Sequence, residues 1–394
     1  MSRNFQFQVV LQRTTMASPV YKTSIEEMTV KRLLGAAAVG ACACLPMGAV
    51  HAESSLTIFG VLDVSVSSYW VNGGPKQVTM ANSALNSSRF GFTGTEDLGG
   101  GKAASFWLEA PISPNTGGGA APGFIFSRRS TISYIDRDLG EIRLGRDFTP
   151  TFWNDALFDP FGAAGVGANL LQQVRSTGIT PPNAPFVPGW GASNPGFIRS
   201  SDSISYFLPR TLGGIYGQFQ YAFRDTSGTS PQPRFISGRA GYSNDRLNAS
   251  LAFSHTNGGA GPATMTLPTV TTYSVGFSYD LGFAKLMGEG LSETYEQPAS
   301  YYRSHGFLAG VAVPVKFLTL NFSYADVLTD LPGSPAVSKL ALGCVYLLSK
   351  RTAVYFTYAR IDNRHGAMLT TGGTVAGIPG SPSTGMDLGL RTAF

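Results

Sequence analysis

The chain has 394 residues, of which only 13% are charged and 12% aromatic, with 48 glycines and a formal net charge of +5. Soluble domains average about 25% charged residues, so an ordinary cytosolic enzyme is disfavoured, while a mean hydropathy of +0.05 is too polar for a bundle of membrane helices. Arg3, Arg13, Lys22, Lys31 and Arg32 lie in the first 52 residues, the remainder is close to neutral, and its arginines are scattered, which argues against a nucleic-acid partner.

In chain order, the first element is a leader. Lys31 and Arg32 precede the apolar run Leu33–Cys44, then Pro46 and "AVHA". That is the charged, apolar and small-residue order of a signal peptide, over 28–52, with cleavage expected after Ala52 and a mature start at Glu53. Residues 1–27 lack the pattern, which makes Met28 a candidate initiator. "VGAC" offers a rival, lipid attachment at Cys42. No later stretch reaches the ~18 continuous apolar residues of a membrane helix. Residues 53–394 therefore read as one domain, either soluble or a barrel. Beyond the leader only Cys344 remains and the histidines are dispersed, so neither a disulfide, a metal site nor a cofactor is expected.

The rest of the chain reads as short alternating segments: 55–68, 86–96, 102–112, 127–136, 140–147, 200–208, 213–224, 235–243, 246–256, 270–280, 283–294, 301–313, 317–329, 336–348, 351–362 and 383–394. In 318–325, for example, Leu318, Leu320, Phe322 and Tyr324 oppose Thr319, Asn321 and Ser323. Period two along the whole chain predicts an all-β fold of about sixteen strands. Short turns such as "DRDLG", "SNDR" and "LSKR" alternate with long Gly/Pro/Ser/Asn-rich loops such as 69–86, 111–125, 225–234, 257–269 and 363–382. Short turns at one end and long loops at the other are the pattern of an outer-membrane barrel, apolar toward lipid and polar toward a wet lumen. The polar faces are mostly Gly, Ser, Thr, Asn and Gln, and the apolar faces are rich in Tyr and Phe, which suits membrane interfaces better than a soluble sandwich. Segments 301–313 and 336–348 are apolar on both faces, which leaves their orientation open.

The longest stretch without clear strands is 148–199, rich in Pro and Gly but holding Trp153, Phe158, Phe161 and Trp190. Loops of this length are uncommon and usually functional or disordered, and the aromatics argue against disorder. "GTEDLGGGKA" does not fit the phosphate-loop spacing, and no nucleophile motif accompanies the histidines, so no catalytic residues are expected.

"SSLTIFGVLDVSVS", "SRFGFTGTEDLGGG", "FWLEA", "RRSTISY", "LGEIRLGRD", "LSKRTAVYFTYA" and the terminal Phe394 together resemble the general porins of β-proteobacterial outer membranes, most closely their anion-selective branch. The resemblance implies a transmembrane antiparallel barrel, a homotrimer in contact with outer-membrane lipid and lipopolysaccharide, and passive passage of small anionic solutes. A substrate-specific anion channel or a structural, adhesive barrel are the alternatives. It further implies a third loop, about 148–175 within 148–199, folded into the lumen. Arg89 in "SRFGF" and Arg199 in "FIRSSDSISY" match arginines of the family's constriction. A third lies in "RRSTISY". Alternation puts Arg129 on the inward side with Thr131 and Ser133, while Arg128, near the strand end, can still reach the lumen through a bulge, so both stay open. Glu109, Asp155 and Asp159 are the expected acidic side. Pro160 stands where some relatives carry an acid, which tilts the balance positive. The ending "MDLGLRTAF" resembles the signal read by the barrel-assembly machinery, with Phe394 as its last residue.

Overall fold

Alternating segments joined by tight turns pair with their neighbours, and every one of them does so antiparallel. The computed structural model describes residues 55–119, 125–179, 198–224, 233–260, 266–297 and 300–394. The leader with its cleavage site, and Trp190 with the far end of the long loop, lie outside the described residues. The elements are β1 (Ser55–Val71), β2 (Gln77–Asn82), β3 (Arg89–Gly99), β4 (Lys102–Pro111), β5 (Arg129–Asp136), β6 (Gly140–Phe148), α1 (Pro150–Leu157), α2 (Leu170–Thr177), β7 (Arg199–Phe207), β8 (Ile215–Ala222), β9 (Phe235–Ser243), β10 (Leu247–Thr256), β11 (Gly259–Ala260), β12 (Thr266–Leu267), β13 (Thr269–Asp280), β14 (Lys285–Gln297), β15 (Ser300–Val315), β16 (Leu318–Thr329), β17 (Ala336–Leu347), β18 (Thr352–Arg364) and β19 (Ser383–Ala393).

One 17-stranded sheet closes on itself, because β1 pairs with β19 from Val61↔Ala393 to Val71↔Ser383. The other edge of β1 is shared by β3 along its first half and β2 along its second, so the wall has sixteen strand positions. Closure pairs each wall strand with a neighbour on both sides, the condition for a β-structure in hydrocarbon. β2 lies inside what the sequence marks as the long loop 69–86. β11 and β12 form a separate two-residue ribbon within the expected loop 257–269.

The faces sort as alternation requires. On β5, Ile132 is 60% exposed while Thr131 and Ser133 are buried. Exposed large apolar residues continue around the outside on Tyr273, Phe277, Phe322, Phe356, Leu388 and Leu390. A soluble sandwich would bury that belt; a membrane barrel turns it toward lipid. The last residue completes the seam, since Phe394 and Gly60 exchange two backbone hydrogen bonds of 3.1 Å. The Phe394 ring lies across the space a Cβ on Gly60 would fill.

β15 and β17, ambiguous in sequence, now have a physical account. Leu308 and Val337 face inward and join a core with Leu170, Leu171 and Val174 of α2. Phe307, Leu342 and Tyr346 face outward and are exposed. Both faces are apolar because one meets lipid and the other meets a helix.

Candidate functional site

The chain leaves the wall after β6 and returns at β7, and the described part of the intervening segment contains two short helices. α1 starts where Thr149 accepts a hydrogen bond from the Phe152 amide and Pro150 occupies the first turn, a position where its missing N–H costs nothing. α2 starts where Asn169 Oδ1 accepts from the Leu171 amide at 2.9 Å, and ends at Gly178, whose φ of +73° suits glycine. Arg175 in its last turn is favourably placed against the helix dipole.

This segment lies against inward-facing residues of β9 to β19. Asn154 donates to Ser274 Oγ at 2.9 Å and accepts from Arg239 Nε at 2.9 Å and Ser250 Oγ at 2.6 Å. Phe158 packs onto Gly276, where any Cβ would overlap its ring. Lys339 Nζ donates to the Ala168 carbonyl at 2.6 Å, and the Val166 amide donates to Asp387 Oδ2 at 2.8 Å. The residues between β2 and β3 meet the same segment from the seam side. Asp63 Oδ2 anchors them by accepting from the Leu85 amide at 2.8 Å, and the Ala84 carbonyl lies against Gly165.

The arginines collect on the opposite part of the wall. Arg128 Nε lies 2.5 Å from Glu109 Oε1, and Arg89 Nε lies 3.8 Å from the same oxygen. Trp107 Nε1 donates to Glu109 Oε2 at 3.1 Å, which fixes the carboxylate between its two guanidinium groups. Arg129 stacks 4.6 Å above the Trp107 ring and lies 3.6 Å from Asp147. Arg199 stacks 4.4 Å above Phe148. Among the described residues it has no carboxylate within ion-pair distance. Both Arg128 and Arg129 therefore sit in the cluster, one on Glu109 and the other on Trp107 and Asp147.

Two of the expected acids are elsewhere. Asp155 and Asp159 are buried, and Asp155 pairs with Arg175 of α2 instead of facing the arginine wall. Asp159 Oδ1 accepts from the Phe161 amide at 2.9 Å. Burial pushes the Asp159 carboxyl up to about 7, and it raises Asp155 as well. The correction has a simple cause: position in a loop shows that a residue leaves the wall, but not which side of the loop it faces. Glu109, by contrast, stands among the arginines.

Further arginines face inward without having been expected at the constriction, although Arg143 lies in "LGEIRLGRD" and Arg391 in "MDLGLRTAF". Arg143 pairs with Asp147 and Glu141 on its own strand and stacks 4.1 Å above Phe207. Arg239 stacks 4.8 Å above Tyr216 and donates to its hydroxyl at 2.9 Å. Arg391 lies in the field of Asp63 and Arg89. Alternation alone could have found all three: Arg143 shares parity with Glu141, Arg239 with Ser237, and Arg391 with Asp387.

A guanidinium-rich strip on the inner face of a closed barrel is chemistry for passing ions. Comparisons with known proteins agree. The Gram-negative porin family model matches residues 35–366. Outer membrane porin protein 32 of Delftia acidovorans is 34% identical over 359 residues, covering 88% of this chain and 96% of that protein. An outer membrane porin protein of Bordetella pertussis is 26% identical, covering 82% of this chain and 92% of that one. Among solved structures, the anion-selective porin from Comamonas acidovorans superposes with a TM-score of 0.73 at 32% identity, covering 87% of this chain and all of that one. The chain belongs to the family of Gram-negative porins.

Proposed function

We propose that this outer-membrane porin is a passive, anion-selective diffusion channel that works as a homotrimer. The carrying observation is charge balance. Arg89 and Arg128 share one carboxylate, Glu109. Arg199 has an aromatic ring in place of one. The acids of the 149–179 segment are buried on its wall side, so they do little to offset the strip. In this reading Arg89, Arg128, Arg129 and Arg199 line the basic side of the narrowest part, and the segment forms its other side. Phe394 is the assembly signal, and 28–52 is the signal peptide.

Selection needs only a fixed charge beside a narrow wet path. At about 8 Å and an effective dielectric of ~40, one guanidinium shifts an ion's energy by roughly 1 kcal/mol, with opposite signs for anion and cation. The aromatic shelf under Arg199 holds its guanidinium plane in place without neutralising it, while Arg129, stacked on Trp107, is partly balanced by Asp147. Solutes cross down their gradient, and no group among the described residues is placed to couple energy to transport. The relatives support this reading, one of them being described as an anion-selective porin.

The test is the zero-current potential of the purified protein in a planar bilayer under a KCl gradient. A potential of the chloride-permeable sign is expected. A cation-selective potential would remove the arginine strip as the selective element.

A further inference from the structure

Behind the 149–179 segment, where it meets β14, lies a second set of charges that the passage does not touch. Asp155, Arg175, Glu289 and Glu293 are all buried there. Arg175 pairs with Asp155 and lies 3.8 Å from Glu293. Glu293 also accepts the hydroxyls of Thr272 and Tyr295. Asn169 Nδ2 donates to Glu289 Oε2 at 2.7 Å and to the Asp155 carbonyl at 3.1 Å. Three carboxylates thus face one guanidinium in a dry contact.

The pairing within this set is incomplete in an informative way. The carboxyl groups of Asp155 and Glu289 are within hydrogen-bonding reach of each other. Asp155 Oδ1 and Glu289 Oε1 are nevertheless buried oxygens with no donor. Two carboxylates so placed cannot both ionise, because like charges in low dielectric repel strongly. One proton between them supplies the missing donor and removes one excess charge.

The remaining neighbours do not supply that donor. Arg239 of β9 is engaged by Asn154, Ser250 and Tyr216. Lys339 of β17 is engaged by the Ala168 carbonyl and Gln173, and Asp159 by the Phe161 amide. The inward residues of β10, β13, β15 and β16 beside the helices carry no charge.

We propose that Asp155 and Glu289 share one proton that seats the segment on β14, which makes Glu289 a positioning residue for the constriction. The effect on passage rests on the reading that this segment narrows the lumen. Loss of the proton places adjacent negative charges under α1. The wall blocks movement outward, so a released segment moves into the passage and the channel closes more often.

Hydrogen exchange at amides 151–157 of α1 in the folded protein, outside the stretch that Asp159 affects, expressed as protection factors at about pH 6 and about pH 9.5, tests the seat directly, since a proton held between two buried carboxyls is lost only at alkaline pH. Wild type should lose roughly tenfold or more protection there at the higher pH while the strands keep theirs. Glu289→Gln, and independently Asp155→Asn should Glu289→Gln fold poorly, should keep the low-pH protection at both values. Equal wild-type protection at the two pH values, or a Gln or Asn variant that loses protection as wild type does, overturns the proposal. Single-channel recording over the same range separates the two ideas. Protection that falls with pH while conductance stays unchanged keeps the proton-held seat but refutes the segment as the narrowing element.

Discussion

Glu109→Gln and Arg199→Gln should move ion selectivity in opposite directions by about the same amount. The first removes the one carboxylate that Arg89 and Arg128 share, and the second removes a guanidinium stacked on Phe148. Each changes the strip by one unit charge. An unscreened charge about 8 Å from the ion path contributes roughly 1 kcal/mol at an effective dielectric of ~40. A Debye length of ~8 Å reduces that to about 0.4 kcal/mol at physiological salt. Because anion and cation shift oppositely, the permeability ratio should change by roughly three- to fourfold. At about 1 M salt, where the Debye length is ~3 Å, the change should shrink to within about 30%. The assay is the zero-current potential under KCl gradients at the two mean concentrations, with melting of the folded protein as a control. If both variants shift the potential the same way, or the shift survives high salt, the electrostatic account fails. That result would point to pore geometry, with Glu109 acting only as a clamp on two side chains.

Gly276→Val should drive Phe158 off the wall and cost about 1–3 kcal/mol of overpacking, read as a lower melting temperature and altered single-channel conductance. Deleting Phe394 removes two backbone hydrogen bonds to Gly60 and should lower the yield of folded barrel; normal yield would count against the assembly-signal reading. Asp159 holds its proton up to about pH 7 because of burial, so it binds more protons seated than exposed. Stability from that source is therefore present at low pH and lost as pH rises from the ordinary carboxylate range through about 7. Exchange protection of residues 158–169 should fall over that window, and Asp159→Asn should flatten the change. Leu171→Ala, in the core shared with β15 and β17, should cost about 2–5 kcal/mol of loop seating and raise open-channel noise without reversing selectivity.

The wall was legible because each strand obeys one periodic rule and one solvent sits on each side. Arg89 and Glu109 followed from it directly, since their neighbours alternate without interruption. Arg128 did not, because it precedes β5 and reaches Glu109 from outside the alternation. The helices in the long loop left signals that period-two reading passes over: Thr149-Pro150, and Asn169 followed by apolar residues at 170, 171 and 174. The side on which Asp155 and Asp159 lie has no local signal. It depends on Arg175, twenty residues on from Asp155, and on Glu289 of a distant strand. The two-faced apolarity of β15 and β17 did carry that information, since a strand in a water-filled barrel needs an apolar inner face only where something dry covers it.

Those same two strands bear on how the chain finds its pairing. Before α2 arrives, β15 offers oily surfaces on both sides, and a slip of one residue there would exchange faces at little expense, whereas on β17 it would turn Lys339 outward. On β5 and β6 the same slip would turn Arg129 and Arg143 toward hydrocarbon, at about 2–4 kcal/mol each near the midplane. Error correction is therefore concentrated in the arginine-bearing hairpins, and the far strands inherit their alignment through the turns that join them. Arg129, proposed above for the constriction, thereby also helps to hold its hairpin in register.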